Sequence, residues 1–232
     1  MGQYVRQVVL DTETTGLDPS LGHRVIEIGA LEVVNRRTTG ATYHVYLNPE
    51  RAIDAGAVAV HGITNEFLAD KPRFADVAQE FLEFVRGAEL IIHNAPFDVG
   101  FLNAELKRLD EGSVGQICGV LDTLKLAKEI HPGQKNNLDA LCKRYQVDNS
   151  GRNFHGALLD AQLLAEVYLG MTRGQETLGI DAADLTSEGV RTVSLPVRRG
   201  PLKVVHATSQ ELAEHAAYLE GLGKDCGEVR SW

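Results

Sequence analysis

The sequence predicts an α/β fold: a three-layer sandwich with helices packed on both faces of a mixed central sheet. Three observations carry this reading. Apolar, β-branched runs crowd the first fifty residues, helix-like and strand-like patterns alternate after residue 70, and acidic residues stand at the ends of apolar runs. The mouth of an open α/β sheet is where ligands gather, so the last observation bears on function as well as fold. A length of 232 residues suffices for one sizeable domain and a tail, and 44% hydrophobic content supplies an ordinary core.

Residues 7–11, Gln-Val-Val-Leu-Asp, read as a buried strand that Asp11 ends. Glu13 follows two residues later, and i and i+2 on a strand share a face. Two converging carboxylates repel each other and need compensation, which a hard divalent cation supplies through oxygen ligands. Residues 25–34 and 41–47 read as two more strands flanking a turn region at 35–40. Phe74, Val77, Ala78, Phe81, Leu82 and Val85 recur at helical spacing and predict a helix over 74–86.

Residues 89–92 form the next apolar strand. Pro96 suits the first turn of a helix over 96–109, which sets Asp98 in that turn beside the strand's mouth. A strand over 117–121 and helices over 122–130 and 136–145 follow. The Ala/Leu-rich segment 155–172 is strongly helical. His155 and Asp160 are five residues apart, about 140° around a continuous helix. They would not share a face, so His155 belongs on the loop ahead and Asp160 in the first turns.

Near Thr172 the pattern changes. Gly174, Gly179, Gly189, Pro196 and Gly200 mark 173–200 as a linker. Beyond it, 202–206 has the pattern of a short strand. Thr208 and Glu211 form a capping-box signature, with Leu212, Ala216, Leu219 and Leu222 at helical spacing behind. So short an amphipathic helix is marginal alone and needs a surface.

Cys118, Cys142 and Cys226 lack CxxC spacing, which argues against a disulfide framework or zinc site and for reduced thiols in a cytoplasmic protein. No signal-peptide core is present, and no apolar stretch nears the roughly 20 residues that span a bilayer. A net charge of −9 is unhelpful to a protein gripping nucleic acid alone. A cation site at the paired acids would offset part of it, and tethering to a partner would replace intrinsic affinity.

Asp11-Thr12-Glu13-Thr14-Thr15-Gly16, His93-Asn94-Ala95-Pro96-Phe97-Asp98 and His155-Gly156-Ala157-Leu158-Leu159-Asp160 resemble, in order and spacing, the three motifs of the DEDDh 3′→5′ exonucleases. The likeness covers about residues 5–172 and is greatest to the proofreading members of that family. It implies a ribonuclease H-like fold over 1–172. Asp11, Glu13, Asp98 and Asp160 would hold two divalent cations, Mg²⁺ or Mn²⁺, with Asp11 bridging, and His155 would be the general base. Val60-His61-Gly62-Ile63-Thr64 resembles a substrate-facing loop; His61 from it, with Asn94 and Thr15 from the motifs, would meet the terminal nucleotide of a single-stranded or frayed DNA 3′ end.

Gln175-Glu176-Thr177-Leu178-Gly179-Ile180 resembles a sliding-clamp-binding peptide, in which Gln175 makes polar contacts while Leu178 and Ile180 fill an apolar pocket. In the proofreading members the tail, here 201–232, binds the catalytic (alpha) subunit of bacterial DNA polymerase III. Two other readings stay open at this level: a free-standing exoribonuclease using the same five residues, and a catalytically silent tether.

Overall fold

The computed structural model describes residues 6–151, 154–173 and 207–226. The chain divides into two compact units, Met1–Gly179 and Ile180–Trp232. The first opens with a three-stranded meander, β1 (Arg6–Thr14), β2 (Val25–Val34) and β3 (Arg37–Tyr46), followed by α1 (Ala55–His61), α2 (Asn65–Leu68) and α3 (Phe74–Val85). Next come β4 (Glu89–Ile92), α4 (Ala95–Lys107), α5 (Val114–Ile117) and β5 (Gly119–Asp122). Helices α6 (Thr123–Ile130), α7 (Leu138–Tyr145) and α8 (Ala157–Met171) complete it.

The sheet order is β3-β2-β1-β4-β5. β1 pairs antiparallel with β2, and β2 with β3, whereas β4 runs parallel to both β1 and β5. This is the expected mixed sheet of a ribonuclease H-like fold. Period-2 alternation sorts the core into two layers. Val8, Leu10 and Ile28 face α3 and α4, where Phe81, Phe101 and Leu102 bury fully. Val9, Leu31, Val33 and Ile91 face α8 through Ala161, Leu164 and Ala165.

α8 is apolar nearly all round because it is covered twice. Its other side, Leu163, Val167 and Met171, packs on Leu141 and Cys142 of α7. A bidentate pair, Arg24 to Glu105 at 2.6 and 2.7 Å, ties the approach to β2 onto α4. Glu105 is buried, so breaking that pair would strand a charge.

Several sequence expectations need correction. β1 does not end at Asp11; it continues to Thr14 because β2 pairs along its whole length. β3 begins at Arg37 rather than 41, because the turn is only Asn35-Arg36. Both residues have positive φ, 51° and 62°, the two-residue hairpin geometry that matches strand twist. Arg36 then donates to the Thr172 hydroxyl and the Leu169 carbonyl, which fastens the hairpin to the end of α8.

Periodicity predicts no helix at α1, α2 or α5, nor the 3₁₀ turn Pro19–Leu21, yet all four form. Each is too short to show a period. Local caps define them instead, such as Thr64 accepting from the Phe67 N–H and the Ser113–Gln116 capping box. Cys118 and Cys142 are buried and not disulfide-bonded. Among the described residues no helix is long and apolar enough to cross a membrane.

In the second unit, α9 (Ser209–Cys226) starts at the expected box. The Thr208 N–H donates to Glu211 at 2.7 Å and the Glu211 N–H donates to the Thr208 hydroxyl at 3.3 Å. Leu212 and Tyr218 on it are exposed. Segments 175–180 and 202–206, where the clamp-like peptide and the short strand were expected, lie outside the described residues.

Candidate active site

The site forms where β1 parts from β4. Their parallel pairing ends at Val9↔Ile91, while β1 runs on beside β2. Past that point the backbone donors on the β4 side of β1 need other acceptors. Asp98, in the first turn of α4, supplies one: its Oδ1 accepts from the Thr12 N–H at 3.1 Å and the Thr12 hydroxyl at 2.7 Å. Asp98 is 3% exposed. Burial pushes its carboxyl up to about 7, against the lowering effect of the Thr12 bonds, with the Asp122 charge adding to the rise.

α4 is set by an uncommon backbone. Asn94 precedes it with φ 66° and ψ 48°, a left-handed conformation that asparagine tolerates. Its N–H donates to Asp122 Oδ1 at 3.2 Å. The same oxygen caps α6 through the Leu124 and Lys125 N–H groups. Asp122 thus joins the starts of two helices at one edge of the cleft.

α8 reaches the cleft because of Gly29. This residue pairs with Asp11 across β1 and β2. A Cβ at Gly29 would run into the backbone of Ala157 and Leu158. Only a bare backbone lets the first turn of α8 lie on the sheet there, which brings Asp160 to the acidic pair of β1.

Asp160 is 3% exposed, and its Oδ2 lies 3.1 Å from His155 Nδ1. His155 is on the loop before α8, as expected, with its side chain 45% exposed. One ligand atom from each of Glu13, His155 and Asp160 falls within 4.8 Å of the others. Asp11, Glu13, Asp98, Asp160 and His155 all line one cleft of about 280 Å³.

The remaining expected residues separate. Asn94 is exposed and lines the same cleft. His61 is buried and lines a neighbouring apolar cavity of about 480 Å³ with Leu17, Ala57, Val60 and Phe97. The two spaces meet at Thr12, Glu13 and Phe97. Burial lowers the His61 pKa, and its Nδ1 accepts the Ile63 N–H at 3.0 Å.

Thr15 is set back from both spaces. It is wholly buried, its hydroxyl accepts the Arg24 N–H at 3.0 Å and lies 3.0 Å from His23 Nδ1. Its own N–H and carbonyl hold Arg24 and Asp54. The residue secures the loop after β1. Gln175, Leu178 and Ile180 lie outside the described residues.

Sequence reasoning passed over Thr12, Gly29, Asp122 and Asp139, an acid of α7 at the cleft that accepts from Asn149 at 3.2 Å. Gly29 alone carried a usable signal, being a glycine inside an otherwise apolar strand.

The donor set is mostly carboxylate oxygen with one imidazole. That set suits hard divalent cations. Fold and cleft together define a nuclease of the exonuclease type, and the exonuclease family RNase_T matches residues 8–168. Within it, the chain belongs to the family of DNA polymerase III epsilon subunits. It is 51% identical to the Escherichia coli DNA polymerase III subunit epsilon over 96% of this chain and 95% of that protein. It is 55% identical to the Pasteurella multocida subunit epsilon over 97% of this chain and 92% of that one.

Among solved structures, exonuclease X in complex with 5′ overhanging duplex DNA superposes with a TM-score of 0.58 at 26% identity, covering 73% of this chain and 92% of that one. The zinc-bound complex of E. coli exonuclease I with single-stranded DNA gives 0.65 at 19% identity, covering 75% and 41%. The latter likeness is one of fold.

Proposed function

We propose that this exonuclease removes mispaired nucleotides from DNA 3′ ends as the proofreading subunit of a bacterial replicase. The convergence of Asp11, Glu13, Asp98, Asp160 and His155 in one cleft, beside an apolar cavity with room for a nucleoside, carries the proposal. Asp11, Glu13, Asp98 and Asp160 would hold two Mg²⁺ or Mn²⁺ ions. Such an ion pair makes a bound water more acidic and offsets charge on the leaving 3′ oxygen.

Every other part of the chemistry falls to the chain's own groups. The paired Thr12 bonds fix the rotamer of Asp98. An ionised Asp160 only accepts hydrogen bonds, so the proton between it and His155 sits on Nδ1. Nε2 is then the basic nitrogen and takes a proton from the attacking water. Attack at the terminal phosphodiester releases nucleoside 5′-monophosphates singly.

The apolar cavity receives the terminal nucleoside against Val60 and Phe97. His61, kept neutral by burial, carries its proton on Nε2 because Nδ1 accepts from Ile63. Asn94 stands at the scissile side, and Thr15 acts through the loop it secures.

Domains follow the same reading: exonuclease over 1–172, linker over 173–200 and partner segment over 201–232. The last would bind the polymerase catalytic subunit, and Gln175, Leu178 and Ile180 the sliding clamp. A net charge of −9 supports delivery to DNA by such partners rather than by intrinsic grip.

The direct test is release of mononucleotides from matched single-stranded DNA and RNA oligomers, with Mg²⁺ or Mn²⁺ and with chelator. Cation-dependent shortening of DNA from its 3′ end is expected. Digestion of RNA alone, or digestion indifferent to chelator, would overturn the proposal.

A further inference from the structure

α1 touches two parts of the site at once. Gly56, Ala57, Val60 and His61 form one wall of the apolar cavity. The end of the same helix carries the chain ahead of α8: the His155 N–H donates to the Val60 carbonyl at 3.2 Å. That carbonyl belongs to the last turn, where an α-helix leaves acceptors without intrahelical partners. Gly62, with φ 71°, closes α1 through its own N–H to the Val58 carbonyl at 2.8 Å. The Phe154 ring lies over Gly62, close enough that a Cβ there would come within 3.2 Å of it. Phe154 is 59% exposed, so this contact is more than general core packing would require.

We propose that Val60–Gly62 is a positioning device that couples occupation of the apolar cavity by a nucleoside to placement of His155 over the acidic cluster. The inference rests on the reading of His155 as the base. The imidazole is nearly half exposed, and its place over the acids depends on two holds, the bond between its Nδ1 and Asp160 and the backbone anchor on the Val60 carbonyl. A base pressed against Val60 and His61 steadies the turn whose carbonyl holds His155. Proton transfer needs hydrogen-bond reach, and a misplacement of about 1 Å can cost on the order of 100-fold in rate.

The test compares full-length wild type with Gly62→Ala, Phe154→Ala and Phe154→Leu. Three quantities are read: Mn²⁺ affinity by calorimetry, kcat and KM on a single-stranded DNA oligomer, and hydrogen exchange of the His155 amide with and without thymidine 5′-monophosphate plus Mn²⁺. The nucleotide should slow exchange at His155 in wild type by roughly tenfold or more. Gly62→Ala and Phe154→Ala should lower kcat by about 10- to 100-fold, and Phe154→Leu should restore most of it. Mn²⁺ affinity and KM should stay within about twofold.

Unchanged kcat in both alanine variants, or exchange at His155 indifferent to nucleotide, would overturn the coupling while leaving the site reading intact. A wild-type chain that binds no Mn²⁺ and releases no nucleotide would overturn both.

Discussion

The two halves of β1 differ in one respect that decides what each does. Over Gln7–Val9 the strand is paired on both sides, and Val8 and Val9 are sealed under helices on either face. Over Asp11–Glu13 it is paired only with β2, and its side chains meet acids from α4 and α8. One half is a core strand and the other a scaffold for chemistry, although the backbone is continuous. The lesson is that a ligand site opens where a ladder loses one neighbour. The freed backbone donor of Thr12 recruits Asp98, and the space left by β4 becomes the acid-lined cleft.

That contrast can be broken from either side. Asp11→Ala attacks the chemical half and should lower turnover by on the order of 10³-fold or more with the fold intact, measured by mononucleotide release alongside circular dichroism. In the same cleft His155→Ala should lose roughly 10²- to 10⁴-fold in rate yet keep its Mn²⁺ affinity. If calorimetry shows that affinity falling, His155 is a ligand rather than the base.

Phe81→Ala attacks the core half. It should cost about 3–5 kcal/mol in urea unfolding and leave kcat near wild type where the chain is still folded. A large loss of kcat in folded protein would mean that the two halves are not separable.

Gly29→Ala probes the seam between them. Its Cβ must displace the start of α8, so a loss of about 100-fold in kcat is expected from misplacing Asp160. Full activity would show that α8 can shift without disturbing the acids. Thr12→Val makes the smallest change, removing one of two hydrogen bonds to Asp98. A loss of about 10- to 100-fold in Mn²⁺ affinity or rate is expected, by the measure of other groups that orient metal ligands.

Much of the fold was legible locally. Helical spacing from Phe74 to Val85, Pro96 at the opening of α4 and the reciprocal Thr208–Glu211 cap all act within a few residues, so the sequence displays them directly. Asp11, Glu13, Asp98, His155 and Asp160 were legible as motifs, each near a recognisable element boundary. Thr15 shows the limit of that legibility. It stands inside the first motif, but its hydroxyl is engaged by His23 and Arg24, partners that spacing alone does not reveal. The apolar cavity was equally hidden, since α1 is too short to announce itself by periodicity.

By itself, then, the sequence determined the layered α/β class, the alternation of strands and helices, and which acids and histidine stand in the three motifs. Tertiary structure decided that β1 runs on past Asp11, that Gly29 admits α8, and that Val60 carries His155. The reason is range. Caps and periodicities are set by neighbours a turn away, whereas the bond from Thr12 to Asp98 spans 86 residues and exists only once the sheet has formed.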